Sequence, residues 1–185
     1  MFSHYDISVI MIKREVGQCT IELVQGDITE QETEAVVNAA NKRLAPGGGV
    51  AGAIHRAAGP GLWDECKRLN GCKTGEAKIT GGHDLKAEFV IHTVGPVYSG
   101  TEKDEVRLRN SYRNSLRVAV ENDIESISFP ALSTGAFGYP VKEASEIAFD
   151  EIKKFLEEEQ TPETVRMVLY SDGDFQTHKE ALESL

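Results

Sequence analysis

The sequence predicts an α/β sandwich, and three observations predict it. Short apolar, β-branched runs recur along the chain, helical patterns lie between them, and several of the runs are nearly continuous in apolar residues, as strands covered on both faces must be. In order, strands are expected at residues 19–24, 35–37, 88–94, 126–130 and 165–170. Helices are expected at 51–58, 62–69, 106–122, 142–158 and, after Gly173, 175–185. The break at 160–162 reads as a loop and not a domain boundary. No repeat and no low-complexity tract interrupts the alternation.

The chain has 185 residues, 40% hydrophobic and 27% charged, which suits one globular domain and argues against disorder. Residues 1–10 precede a second methionine, Met11, and read as an extension, either vector-derived or from an upstream start; 11–185 then form the single domain. The formal charge is −10, of which residues 142–185 carry −7. That balance argues against nucleic acid and anionic membrane surfaces as partners. No apolar run approaches a membrane span, and no secretory signal is visible. Three cysteines without a C-x-x-C pair fit reduced thiols in a cytoplasmic protein and argue against a zinc site. No metal or cofactor is expected, and nothing in the pattern calls for more than a monomer.

The densest candidate site runs from Asn38 through Asn41 to Gly47-Gly48-Gly49-Val50-Ala51-Gly52 and His55. Consecutive glycines ahead of a helix expose backbone N–H groups, which with the helix dipole can hold an anion without a cationic side chain; a plain glycine turn is the competing account. Gly47-x-Gly49-x-x-Gly52 matches a dinucleotide fingerprint only nominally. Nine residues separate the expected strand end from Gly47, and a helix follows where the acid-bearing strand should be. Lys73-Thr74 is not a Walker loop, because Cys72 stands where that motif has glycine.

A second small-residue loop, Ser133-Thr134-Gly135-Ala136-Phe137-Gly138-Tyr139, also lies between an expected strand and helix. Two such loops can grip a diphosphate from both sides, with Phe137 or Tyr139 covering a sugar face or folding back as an anchor. Asp27, after the first expected strand, can cap a turn or accept from a ligand amine; Asn38 and Asn41 can shape a turn or orient hydroxyls. His55, His83 and His92 read as isolated, with core roles favoured for His55 and His92. The carboxylates at 150–151 and 157–159 read as solvated helix surface.

Six ordered motifs identify a resemblance: Gly26-Asp27-Ile28-Thr29, Val37-Asn38-Ala39-Ala40-Asn41, the stretch from Gly47 to Gly59, Thr74-Gly75-Glu76-Ala77, His92-Thr93-Val94-Gly95-Pro96, and Ser133 to Pro140. Together, over about residues 12–185, they resemble a macro domain of the MacroD type. The resemblance implies a three-layer α/β/α fold around a mixed sheet, with an ADP-ribose cleft at the strand ends. It implies hydrolysis of mono-ADP-ribose from acidic side chains of ADP-ribosylated proteins, and deacetylation of O-acetyl-ADP-ribose. It places Asp27 and Ile28 at adenine, with Tyr170 stacking on it. It implies binding by Asn38, with Asn41 and Phe137 at the distal ribose. Gly48, Gly49 and Val50 would wrap the diphosphate from one side, and Ser133, Thr134, Gly135 and Ala136 from the other. One position departs: Ala51 stands where the family has the aspartate proposed to activate or position water. An alanine has no polar atom for either task, so binding is expected to survive and catalysis to suffer. Ala51 fits a natural reader or slow hydrolase, or an engineered Asp-to-Ala form; the intact flanking motifs and the tag-like leading decapeptide favour the latter.

Overall fold

In the computed structural model, which describes residues 10–185, seven strands form one mixed sheet in the order β1-β2-β7-β6-β3-β5-β4. The strands are β1 Met11–Val16, β2 Cys19–Gln25, β3 Ala35–Ala39, β4 Ala77–Gly81, β5 Phe89–Thr93, β6 Ser126–Phe129 and β7 Thr164–Leu169. The five inner strands run parallel, and β1 and β4 pair antiparallel at the two edges. Of the expected extension, all but Ile10 lies outside the described residues.

Side-chain alternation along the inner strands builds two cores. Val36, Val90 and Val168 face one layer, formed by α1 (Gly49–Ala58) and α2 (Pro60–Cys66). Val37, Ile91 and Leu169 face the other, formed by α3 (Glu102–Glu121), α4 (Val141–Glu159) and α5 (Asp172–Glu183). A period of two on a sheet covered twice produces this division. Helices therefore cover both faces, and the architecture is the expected three-layer α/β/α sandwich.

Several expectations need correction. Strands β1 and β4 lie outside the expected set. Both are short edge strands with charged or half-exposed positions, and so lack the apolar run that marks a covered strand. Helix α2 starts earlier than expected, at Pro60, and ends at Cys66, with a 3-10 turn over Lys67–Leu69. Helix α3 begins at Glu102 because Asp104 gathers the amides ahead of it: its carboxylate accepts from Ser99 N at 2.7 Å, Gly100 N at 2.9 Å and Thr101 N at 3.3 Å. The α4 carboxylates are not all solvated. Glu151 is buried and accepts from Arg113 Nε at 2.8 Å, and Glu158 accepts from the same guanidinium at 3.0 Å.

One buried group ties the α3 layer to the loop after β6. Tyr112, fully enclosed beside Phe129, accepts a hydrogen bond at its hydroxyl from Leu132 N at 3.2 Å. Tyr112→Phe keeps the ring but strands the Leu132 amide. The expected loss is about 1–3 kcal/mol of stability, read from urea unfolding; no loss would mean that the hydroxyl is dispensable.

Candidate functional site

The pairing of β3 with β6 is short. Only Ala35 with Ile127 and Val36 with Ser128 are in register, and beyond them the strands part. After β3 the chain passes to α1 on one face; after β6 it passes to α4 on the other. This is the switch point of the sheet, where a crevice must open. A cavity of about 310 Å³ lies there. Its walls are 39–41 (the last residue of β3 and the two after it), 47–51, Gly95 after β5, and Ala131, Ser133 and 135–137 after β6.

Backbone supplies its polarity. Helix α1 starts at Gly48 with no side-chain cap and no acid in its first turn. Its leading N–H groups therefore have no intrahelical partner and no capping side chain. Across the cavity, the N–H groups of Ser133, Thr134, Gly135, Ala136 and Phe137 make no hydrogen bond among the described residues. The loop holding them is firmly shaped all the same. Gly138 N donates to Gly135 O at 3.0 Å, Tyr139 N to Ser133 O at 2.9 Å, and Thr134 Oγ1 to Ala131 O at 3.1 Å. Tyr98 N donates to Phe137 O at 2.9 Å, so the segment that Asp104 gathers also backs this loop. Those amide hydrogen bonds, Ser99 first, hold the Asp104 carboxyl below the usual carboxylate range.

The chain fits closely here. A Cβ on Gly95 would lie 2.2 Å from Ser133 Oγ, so any side chain at that position would displace the Ser133 hydroxyl. Ser133 itself sits at φ +67°, and its buried hydroxyl has no partner.

The expected site residues fall into place unevenly. Asn41, Gly48, Gly49, Val50, Ala51, Ser133, Gly135, Ala136 and Phe137 line the cavity, and Thr134 lies in the same loop. Asn41 is already engaged: its Oδ1 accepts from Arg43 N and Ala45 N, each at 3.1 Å, and its Nδ2 donates to Ala45 O at 2.8 Å. It shapes its own loop and keeps one free N–H. Asp27, Ile28 and Tyr170 stand on the next strand ends, β2 and β7, joined where Gly26 N donates to Leu169 O at 2.9 Å. Asp27 Oδ1 caps a short 3-10 turn by accepting from Thr29 N at 2.8 Å, and Tyr170 is 85% exposed.

Asn38 is a correction. Strand alternation turns it toward the α1–α2 layer with Val36, and it is only 1% exposed, outside the cavity wall. Its Nδ2 donates to His92 Nδ1 at 3.1 Å, which leaves His92 Nε2–H to donate to Thr80 Oγ1 at 2.8 Å. Burial, and secondarily nearby His55, pushes His92 down to about 3, so it is neutral. Burial lowers His55 as well, and raises the Cys66 and Cys72 thiols to about 11, which removes them as nucleophiles. His83 is not isolated but pairs with Glu65 at 2.8 Å.

Gly95, Tyr112 and Asp104 were not foreseen as parts of the site. For Gly95 the signal lay in its motif, His92-Thr93-Val94-Gly95-Pro96, whose Gly-Pro pair stands just after a strand. Chemically, the cavity can hold an anion on backbone donors. Its lining side chains with polar atoms are Asn41 and Ser133, and neither titrates near neutrality. No group of three side chains among the described residues could hold a metal ion.

A crevice of this kind, walled by two glycine-bearing loops at the switch point of an α/β/α sandwich, has close counterparts. The macro domain family profile matches residues 37–148. A macro domain-containing protein of Methanosarcina mazei is 50% identical over 175 residues, covering 94% of each chain. The ADP-ribose glycohydrolase MACROD2 of Homo sapiens is 46% identical over 167 residues, covering 88% of this chain and 39% of that one. Among solved structures, the Oceanobacillus iheyensis macrodomain with ADP superposes at a TM-score of 0.92 with 42% identity, covering 95% of this chain and 96% of that one. The Trypanosoma brucei macrodomain in complex with ADP-ribose gives 0.83 and 42%, covering 88% and 68%. The chain belongs to the macro domain family.

The buried histidine gives a pH prediction. The unfolded chain takes up a proton near pH 6.5, which folded His92 refuses until about pH 3. Its contribution to stability is therefore complete above about pH 6.5 and is lost as pH falls, by up to about 1.4 kcal/mol per pH unit. His92→Gln should show a shallower decline between about pH 6.5 and 5 in urea titrations. An unchanged slope would assign the decline to other groups.

Proposed function

We propose that the cleft binds ADP-ribose, and that the chain is the scaffold of a hydrolase acting on mono-ADP-ribosylated acidic side chains and on O-acetyl-ADP-ribose, with catalysis impaired at Ala51. One observation carries the binding: glycines stand where the fold does not need them. Gly48 has an ordinary φ of −89°, and Gly135 has no left-handed conformation. A Cβ at either would meet nothing of this protein within 4 Å. Glycine at such places costs stability through the entropy of the unfolded chain. Room for a ligand held against bare backbone accounts for that cost. The likeness to macrodomains solved with ADP and ADP-ribose supports the choice of ligand, and the likeness to MACROD2 supports the reaction class.

Gly135→Ala separates ligand space from fold. Its stability should hold or rise by about 0.4–1 kcal/mol, while calorimetry should show ADP-ribose affinity reduced at least about tenfold, because the methyl group enters the diphosphate path. Equal affinity in both forms would remove the diphosphate from this loop.

A second reading, a non-catalytic ADP-ribose reader, is favoured by the lack of any titratable side chain on the cavity wall. Ala51 lies in the first turn of α1, 6% exposed, with its side chain at the cavity. A carboxylate there suits the helix N-terminus and could take a proton from water. Ala51→Asp should speed hydrolysis of mono-ADP-ribosylated glutamate by about 10²–10⁴-fold. If the rate stays flat while binding persists, the reader account stands and the carboxylate account fails.

A further inference from the structure

The bases of this chain are unevenly placed. Residues 42–78 carry seven bases against three acids, a net +4 in a chain of −10. Lys42, Lys73 and Arg107 together line one surface depression of about 490 Å³, with Asn70 and Thr74 on the same wall. All three cations are exposed. On the same helix Arg109 and Arg113 are held by Asp150, Glu151 and Glu158. Lys42, Lys73 and Arg107 form no ion pair among the described residues. Glu76, beside them, directs its Oε2 to the backbone N–H of Lys73 at 3.4 Å and not to the ammonium.

The depression adjoins the cleft. Lys42 follows Asn41, which lines the cavity, and Lys42 O accepts from Cys72 N at 2.9 Å. Thr74 bridges to Val94, the residue before cavity-lining Gly95. A chain leaving the Asn41 end of the cleft on this side therefore meets three free cations.

We infer that this depression docks an acidic stretch of the polypeptide whose ADP-ribosyl group occupies the cleft. The inference rests on the proposed function, in which the modified residue is itself acidic. Acidic neighbours of that residue meet Lys42, Lys73 and Arg107, and the negative charge over the remainder of the surface orients the partner toward this flank. A short acidic peptide fits better than nucleic acid, because three cations serve a few carboxylates whereas the −14 on the rest of the chain repels a long polyanion.

The test uses the full chain and two peptides that bear ADP-ribose through a hydrolysis-resistant linkage, one with acidic flanks and one with neutral flanks. The acidic peptide should bind roughly three- to thirty-fold more tightly at low salt, as expected for a few exposed charge contacts. That preference should vanish at about 0.5 M salt and in the Lys42→Gln/Lys73→Gln/Arg107→Gln variant. Free ADP-ribose should bind that variant and the parent alike, to within roughly twofold, and unchanged thermal unfolding should show that the variant folds. Free ADP-ribose binding without a flank preference overturns the docking inference alone, as does a preference that survives in the triple variant. A short single-stranded oligonucleotide that displaces the acidic peptide at lower concentration than an unmodified acidic peptide does would also overturn it. Failure of free ADP-ribose to bind the parent chain overturns the proposed function and this inference together.

Discussion

The parting of β3 and β6 after two paired residues governs the rest of the molecule. Parallel strands whose following helices go to opposite faces cannot stay paired to their ends. What opens between them is a crevice floored by strand termini and walled by the two loops that carry the chain away. Every other feature of the site follows from that divergence. The first loop reaches α1 with its helix start uncapped, and the second returns toward α4 with five amides unpaired. Backbone donors accumulate at the switch point because the topology has taken away their partners.

Such a crevice must be kept from collapsing, and its supports stand both behind the wall and in it. Tyr112 holds the Leu132 amide from beneath, and Asp104 organises the segment whose Tyr98 amide ties down Phe137. Asn41 holds the first loop with its own amide group. On the other face of β3, a neutral His92 accepts from Asn38 and donates to Thr80. A charged group at that place would face a heavy desolvation penalty, which explains why burial suppresses its protonation.

The inner strands were legible because coverage on both faces leaves a nearly unbroken apolar run, as in Val165, Met167, Val168 and Leu169. The edge strands were not, since MIKREV alternates toward solvent and its strand character comes only from pairing with β2. The start of α3 was hidden for a related reason: no apolar residue stands between Tyr98 and Val106, and a carboxylate collecting amides fixes that end of the helix. The glycine loops were legible as composition between a strand and a helix. The direction of Asn38 was not, because its neighbour Asn41 suggested a shared loop, whereas strand pleating sends Asn38 to the opposite layer. The contact of Gly95 with Ser133 spans distant parts of the chain, which local pattern cannot reveal.

The cavity wall carries no group that gains or loses a proton between mildly acidic and mildly alkaline conditions. Its donors are amides, and amides hold their dipoles at every such pH. A ligand entering the crevice therefore meets the same field whatever the acidity around it, and any dependence of the encounter on pH has to come from the ligand's own ionisation. The acidity that loosens the fold through His92 acts on the whole molecule and leaves the character of the grip untouched.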